Sequence, residues 1–177
     1  NYTRYGGVSI SYADGDASYS RGSGDNHSRA MNFYVTEMGN KGHYLDVVLR
    51  FHHIDTNFKM FDENGKKIRG DMHNVGISLS SEYGRKKMID DKGWYIEPQG
   101  QLTIGYLGGD NYTTSNGIAV RQGGIRSALG RIGFNLGKDI DEKTNIYLKA
   151  NLLHEFGGGY HAAMADNSGS RIKIDLS

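Results

Sequence analysis

Residues 93–106 read Gly-Trp-Tyr-Ile-Glu-Pro-Gln-Gly-Gln-Leu-Thr-Ile-Gly-Tyr, and residues 125–137 read Ile-Arg-Ser-Ala-Leu-Gly-Arg-Ile-Gly-Phe-Asn-Leu-Gly. Apolar side chains alternate with polar ones in both segments, which is the period of a β-strand with one apolar and one polar face. Both are longer than an ordinary soluble strand of about 5–6 residues, and a tilted strand of about 9–11 residues crosses a bilayer. We therefore predict long antiparallel hairpins of a barrel that is apolar outside and polar inside.

The composition permits this interpretation and removes several other classes of protein. The 177 residues suffice for one domain, and 21 basic side chains against 20 acidic ones do not indicate a nucleic-acid partner. No apolar run approaches the length of a spanning helix, about 18 residues, whereas the alternating strands of a barrel average out as polar. Cysteine is absent, which excludes disulfides and thiolate chemistry. The first residues lead directly into a strand, so we expect a piece of a longer precursor.

The same alternation recurs along the rest of the chain. We predict further strands around residues 8–12, 31–36, 45–52, 75–83 and 146–156, and the beginning of an eighth strand at 171–175. The connections near residues 20, 63, 113 and 163 are long and rich in Gly, Asn, Asp and Ser, and we interpret them as solvated loops. Those near residues 40, 88 and 140 are short. This asymmetry is typical of outer-membrane barrels, which have long loops outside the cell and short periplasmic turns.

Two features could suggest a metal. His52 and His53 are adjacent, but adjacent residues of a strand point to opposite faces, so one ion cannot bind both without a bulge. Asp-Gly-Asp at residues 14–16 resembles part of a calcium-binding loop, but the closing glutamate at the required spacing is missing. We therefore predict no metal ligand and no cofactor.

Several motifs together resemble the autotransporter β-domain, the C-terminal translocator of type V secretion. They are Gly-Trp-Tyr-Ile-Glu-Pro-Gln-Gly-Gln-Leu (93–102), Leu-Gly-Arg-Ile-Gly-Phe-Asn-Leu-Gly (129–137) and Tyr-Leu-Lys-Ala-Asn-Leu-Leu-His-Glu-Phe-Gly-Gly (147–158), with shorter matches at 42–46, 81–85 and 113–117. The resemblance implies an antiparallel, up-and-down transmembrane β-barrel of twelve strands in the Gram-negative outer membrane. It also implies three partners: the chain's own passenger polypeptide, outer-membrane lipid and the barrel-assembly machinery.

The chain departs from the family pattern in its extent. It holds about eight strands, and it lacks a passenger, the α-helical linker that plugs the pore and a final strand ending in an aromatic residue. We therefore interpret residues 1–177 as a partial barrel domain, corresponding to about strands three to ten of the family domain.

The predicted strand faces assign side chains to two environments. The pore-lining set is Arg50, Glu82, Glu97, Gln99, Arg131, Lys149 and Glu155. The membrane-facing set is Trp94, Ile96, Leu102, Ile104, Tyr106, Phe134 and Leu148. Glu82 and Glu97 could lie on neighbouring strands, but two carboxylates alone do not make an acid–base site, so we predict no catalytic residue and no enzyme.

Two alternatives remain open at this stage. One is a self-contained eight-stranded outer-membrane barrel whose interior is filled by side chains, acting as an adhesin or structural anchor. The other is a soluble β-barrel that binds a small ligand, which would require the larger apolar side chains to face inward.

Overall fold

The computed structural model describes residues 2–141, 143–166 and 168–176, and β-strands make up most of these ranges. The longest strands have 18 or 19 residues, well beyond the usual length in soluble domains. No helix in the described ranges is long and apolar enough to cross a membrane.

The main sheet is an antiparallel meander in which each long strand pairs with the next long strand along the chain. Its order is β1 (Tyr2–Tyr19), β2 (Gly22–Gly39), β3 (His43–Phe61), β4 (Lys67–Arg85), β6 (Trp94–Leu107), β9 (Ile125–Asp139) and β10 (Asn145–Glu155), with the two-residue strand β5 (Lys87–Met88) beside β6. This is the predicted up-and-down arrangement. Within the described residues the sheet is open, with β1 and β10 at its edges.

A second, smaller sheet lies at the end of the main sheet where the long connections are. It consists of β12 (Arg171–Leu176), β11 (Tyr160–Ala165), β8 (Ala119–Gln122) and β7 (Asn111–Thr113), in that order. Hydrogen bonds to residues that flank β7 attach it to β4. The amide of Ser115 donates to the carbonyl oxygen of Arg69 over 2.9 Å, and the amide of His73 donates to Oδ2 of Asp110 over 2.7 Å.

The interpretation of the long connections as loops was wrong for much of their length, although residues 62–66 do form a turn between β3 and β4. Residues 14–19 and 22–27 continue β1 and β2 in unbroken register, so that only Ser20 and Arg21 form the turn. The predicted eighth strand exists as β12, but it pairs with β11 rather than with β10. Gly, Ser and Asp weaken a strand only modestly, and paired backbone groups hold these polar hairpins in place.

The strand register places apolar side chains on one face of the main sheet. Val8, Phe33, Leu49, Leu79, Ile104 and Ala128 stand directly opposite one another in a row across six strands. Leu79 is 42% exposed and Ile104 is 49% exposed, because no second layer covers this face in the described structure. A soluble ligand-binding barrel would enclose its apolar face, so the observed disposition is the reverse of what that alternative requires.

Candidate functional site

The opposite face of the main sheet carries a polar network centred on Arg131. Its Nε donates to Oε1 of Gln101 over 2.8 Å, and its Nη2 donates to Oε2 of Glu82 over 2.8 Å. Nη1 donates to Oδ1 of Asn151 over 2.7 Å and to Oε1 of Gln99 over 3.3 Å. The guanidinium thus holds side chains from three neighbouring strands, β4, β6 and β10, against its own strand β9.

A tyrosine extends the network across a fifth strand. The hydroxyl of Tyr44, on β3, lies 2.9 Å from Oε1 of Glu82 and 3.3 Å from Oε1 of Glu97. Nε2 of Gln99 also donates to Oε1 of Glu97, over 2.7 Å. Both carboxylates therefore share the Tyr44 hydroxyl, and each has a further donor.

Strand pairing explains why these side chains meet. Glu82 stands directly opposite Gln101, and Gln101 stands directly opposite Arg131. Since alternate residues of a strand share a face, Glu97 and Gln99, which lie four and two residues before Gln101, are on the same side. The network is consequently a property of the strand register rather than of any single loop.

Electrostatics hold this network together tightly. The Arg131 and Glu82 side chains are only 14% and 23% exposed, so their ion pair is screened less than a surface pair. A guanidinium presents its donors in a planar fork, which suits several acceptors arranged around it. Its single positive charge faces two carboxylates, of which it contacts one directly and approaches the other through Gln99.

The predicted pore-lining residues fall into two groups. Glu82, Glu97, Gln99 and Arg131 are brought together in the network, although Arg131 pairs with Glu82 on β4 and not with Glu97 on adjacent β6. Three others lie on the same face but away from the network. Arg50 is an exposed side chain opposite Ser78. Lys149, on β10, lies opposite Asn135 on β9. Glu155 accepts hydrogen bonds at the rim of the sheet from Ser127 Oγ and the Ala128 amide.

The predicted membrane-facing residues all lie on the opposite, apolar face. Their register partners are apolar or glycine in most cases; Ile96 lies opposite Leu136, and Leu136 lies opposite Leu148. The exposed fractions run from 37% to 67% for the set Trp94, Ile96, Leu102, Ile104, Tyr106, Phe134 and Leu148. Their contact with lipid stays a prediction.

Sequence reasoning missed Tyr44, which it assigned to neither the pore-lining nor the membrane-facing set. The signal was available, since Tyr44 alternates in phase with Asp46 and Arg50 on the polar face of β3. Tyr44 also packs its ring directly over Gly84 on β4, where a Cβ would lie 2.5 Å from Tyr44 Cζ. The glycine therefore leaves the space that allows the tyrosine to reach both carboxylates.

Sequence reasoning also missed a cluster of His53, Asp55 and His73 on the outer face near the second sheet. His73 lies directly opposite Asp55, and this pairing could not be read from the neighbouring pair His52-His53. Hydrogen bonds, first from His73 and then from His53, hold the pKa of Asp55 below its ordinary value.

Comparison with known proteins gives a consistent result. A family model described as the autotransporter beta-domain matches residues 2–175. The chain is 35% identical over 153 residues to the pertactin autotransporter of Bordetella parapertussis, covering 83% of this chain and 16% of that protein. It is 30% identical over 159 residues to the probable autotransporter YcgV of Escherichia coli, covering 87% of this chain and 17% of that protein.

A solved structure shares the fold. The β-domain of the Bordetella autotransporter BrkA superimposes with a TM-score of 0.75 at 24% sequence identity, covering 97% of this chain and 74% of that one. The chain therefore belongs to the autotransporter β-domain family, the translocator barrels through which passenger domains are secreted. It spans about a sixth of the length of the two curated relatives named above, with 16% and 17% covered.

Proposed function

We propose that in its parent protein this segment forms part of the wall of an outer-membrane secretion pore for an N-terminal passenger. The observation that carries the proposal is the polar network across five neighbouring strands, on the face opposite the apolar row. A sheet with these two faces suits a boundary between lipid outside and a hydrated lumen inside.

The inner face also has unused hydrogen-bonding capacity. Asp46 Oδ1, His52 Nδ1 and Asn135 Oδ1 lie on it and have no partner among the described residues. These three atoms are themselves covered, so an extended polypeptide in the lumen would meet the exposed polar side chains of this face, such as Arg50, instead. A mixed polar wall also holds an unfolded chain less firmly than an apolar one would.

The proposal requires more strands than this chain supplies. Backbone groups exposed to lipid must be paired, so the two edges of the sheet at β1 and β10 need neighbours within the membrane. The match covers 97% of this chain but only 74% of the BrkA β-domain, so part of that domain lies outside the match. We therefore propose that residues 1–177 are one part of a larger barrel, and that the parent protein supplies the remaining strands and the passenger.

The proposed setting follows from the same reasoning. The barrel resides in the outer membrane of a Gram-negative bacterium, where it contacts lipid, and the barrel-assembly machinery inserts it. The wall carries no catalytic role in this proposal. The curated relatives Pet and Sat of Escherichia coli are described as serine protease autotransporters, a property of those proteins.

Site-directed crosslinking in the full-length parent protein tests the proposal, since the chain contains no cysteine. Ser78 lies on the inner face of β4, opposite Arg50, and Ser81 lies on the outer face, opposite Leu102. With a passenger stalled during secretion and carrying one cysteine, we expect Ser78→Cys to form a disulfide with the passenger.

Ser81→Cys is the matched control, because it places the same thiol on the same strand facing lipid. Heat-modifiable migration of both variants would establish that their barrels are folded. Equal crosslinking from both positions, or crosslinking from Ser81→Cys alone, would contradict a passenger route along the inner face.

A further inference from the structure

The outer face of the main sheet changes character beyond the apolar row, toward the second sheet. Asp14, His27, Asp55 and His73 stand directly opposite one another across β1, β2, β3 and β4. This row of alternating carboxylates and imidazoles lies on the face opposite the Arg131 network, so the proposed secretion route makes no use of it.

Three side chains converge at Asp55, two from this row and His53 from the adjacent outward-facing position of β3. Oδ1 of Asp55 lies 2.9 Å from Nε2 of His53 and 2.7 Å from Nδ1 of His73, and the two imidazole rings stack with their centroids 6.5 Å apart. His53 precedes Asp55 by two residues on the same face of β3, while His73 approaches from β4. All three candidate ligand atoms lie within 4.8 Å of one another.

This spacing is close to that of a zinc site. Tetrahedral Zn²⁺ with bonds of about 2.0–2.1 Å to nitrogen and oxygen holds its ligand atoms about 3.3 Å apart. The two nitrogens of the cluster are already oriented toward one carboxylate oxygen. To surround an ion, the two oxygen-to-nitrogen distances of 2.9 and 2.7 Å would lengthen by about 0.4–0.6 Å, and the two nitrogens, which lie within 4.8 Å of each other, would settle at the same separation of about 3.3 Å.

We propose that His53, Asp55 and His73 bind a divalent transition metal of the zinc class, with water completing its coordination. Imidazole nitrogen with carboxylate oxygen suits Zn²⁺, Cu²⁺ or Ni²⁺, whereas Mg²⁺ and Ca²⁺ prefer oxygen ligands only. The side chains of His53, Asp55 and His73 are 45%, 25% and 64% exposed, which leaves an open side for entry and for water.

The surroundings favour a cation. Asp71 lies two residues from His73 on the same face, and Oδ2 of Asp110 accepts a hydrogen bond from the His73 amide. Asp14 contacts His27 in the same row, and Arg29, opposite His53, is the neighbouring basic group. Oriented carboxylates around metal-binding histidines fix the ligand geometry, and their loss typically reduces metal affinity about 10–100-fold.

A metal at this position would link β3 to β4 just outside the apolar band. Both strands continue past it for several residues, to Phe61 and from Lys67, with Lys59, Arg69 and Asp71 on the outer face. The ion would therefore tie the base of this hairpin and the attachment point of the second sheet to the membrane-spanning part of the wall.

Zinc titration of the purified, untagged full-length parent protein in detergent tests the proposal. The variants are His73→Ala and Asp55→Asn, the latter nearly isosteric with the native side chain. His161→Ala is the matched control, because His161 also pairs with an aspartate, Asp175, at 2.9 Å, but lies outside the His53, Asp55 and His73 cluster.

We expect one zinc equivalent to bind the native protein and His161→Ala, and affinity to fall at least tenfold in His73→Ala and Asp55→Asn. Co²⁺ should give the intense visible absorption of a low-coordinate site in the first pair only, and excess Mg²⁺ should not displace it. Heat-modifiable migration shows which variants are folded. Unchanged zinc affinity in folded Asp55→Asn or His73→Ala, or an equal loss in His161→Ala, would overturn the proposal, as would no saturable binding to the native protein.

Discussion

At the scale of single residues, Arg131 concentrates more polar contacts than any other side chain described above. It donates to Gln99, Gln101, Asn151 and Glu82, and only its bond to Glu82 joins opposite charges. Removing the Arg131 side chain would leave the largely buried carboxylate of Glu82 without its ion-pair partner and close to the second carboxylate, that of Glu97. Such losses are costly because the remaining partner stays desolvated without compensation.

We predict that Arg131→Met lowers the free energy of unfolding by about 2–3 kcal/mol, the cost of losing hydrogen bonds to a charged group. Urea unfolding of the full-length parent barrel in lipid vesicles measures it. Arg50→Met is the control, since Arg50 is an exposed arginine on the same face and forms no ion pair with the described residues. An equal effect of both substitutions would contradict a special role for the network.

Glycine supplies the second prediction at this scale. A Cβ at Gly84 would collide with the Tyr44 ring, whereas a Cβ at Gly100 would meet no atom within 4 Å. We predict that Gly84→Ala costs about 1–3 kcal/mol, because Tyr44 must leave its position over the strand and lose its bonds to Glu82 and Glu97. Gly100→Ala should change the stability by less than about 0.5 kcal/mol. The same urea titration compares them, and similar values would show that Tyr44 adapts freely.

At the scale of the strand, the two faces of β4 are set by alternation alone. Leu79 belongs to the apolar row between Leu49 and Ile104, while Ser78 faces the inner side opposite Arg50 and Gly105. The two residues are consecutive in the same strand, but their side chains point to opposite faces of the sheet. This makes the pair a direct probe of which face meets lipid.

We predict that Leu79→Arg destabilises the vesicle-embedded barrel by about 2–4 kcal/mol, the cost of a cation on the lipid face near the bilayer midplane. Ser78→Arg should cost far less, because its guanidinium would enter a hydrated lumen. Urea unfolding of both variants gives the comparison. A greater loss for Ser78→Arg would mean that the faces are reversed.

Strands also continue where the composition indicated loops. Asp14, Gly15 and Asp16 pair in register with His27, Asn26 and Asp25, so that a polar hairpin extends beyond the apolar band. Loop composition measures the affinity of side chains for water, and an extended hairpin in water satisfies that affinity as well as a loop does. The prediction failed because burial and strand formation are separate properties.

At the scale of the whole molecule, the connections differ at the two ends of the sheet. The turn between β3 and β4 at residues 62–66 belongs to the end that carries the second sheet, and the turn at 40–42 belongs to the other end. Lys66 is the last residue of the first turn, Lys67 is the first residue of β4, and Lys41 lies in the second turn. The two turns therefore report the orientation of the barrel across the membrane.

We predict that trypsin added to intact cells expressing the parent protein cuts after Lys66 or Lys67 and spares Lys41. Exposed polar turns are preferred cleavage sites, and the outer membrane shields the opposite turn. Permeabilised cells should show cleavage at Lys41 as well. Mass spectrometry of the fragments identifies the sites. Cleavage at Lys41 alone in intact cells would place the second sheet on the periplasmic side.

The sequence by itself determined the all-β class, the central part of each long strand and the face of each long strand that is apolar. These follow from a period of two, which is a local property of an extended backbone and is legible in any short segment such as 94–106. For the same reason Glu82, Glu97, Gln99 and Arg131 were predicted to share one face before their contacts were known, and their position in the lumen stays a prediction.

Only the tertiary structure decided which side chains meet. Arg131 reaches past β6 to Glu82, His73 lies opposite Asp55, and β12 pairs with β11 instead of β10. Each of these pairings depends on the register between strands distant in sequence, set by turn geometry and by the backbone hydrogen-bond ladder as a whole. Alternation within one strand carries no information about that register, because every shift by two residues preserves it.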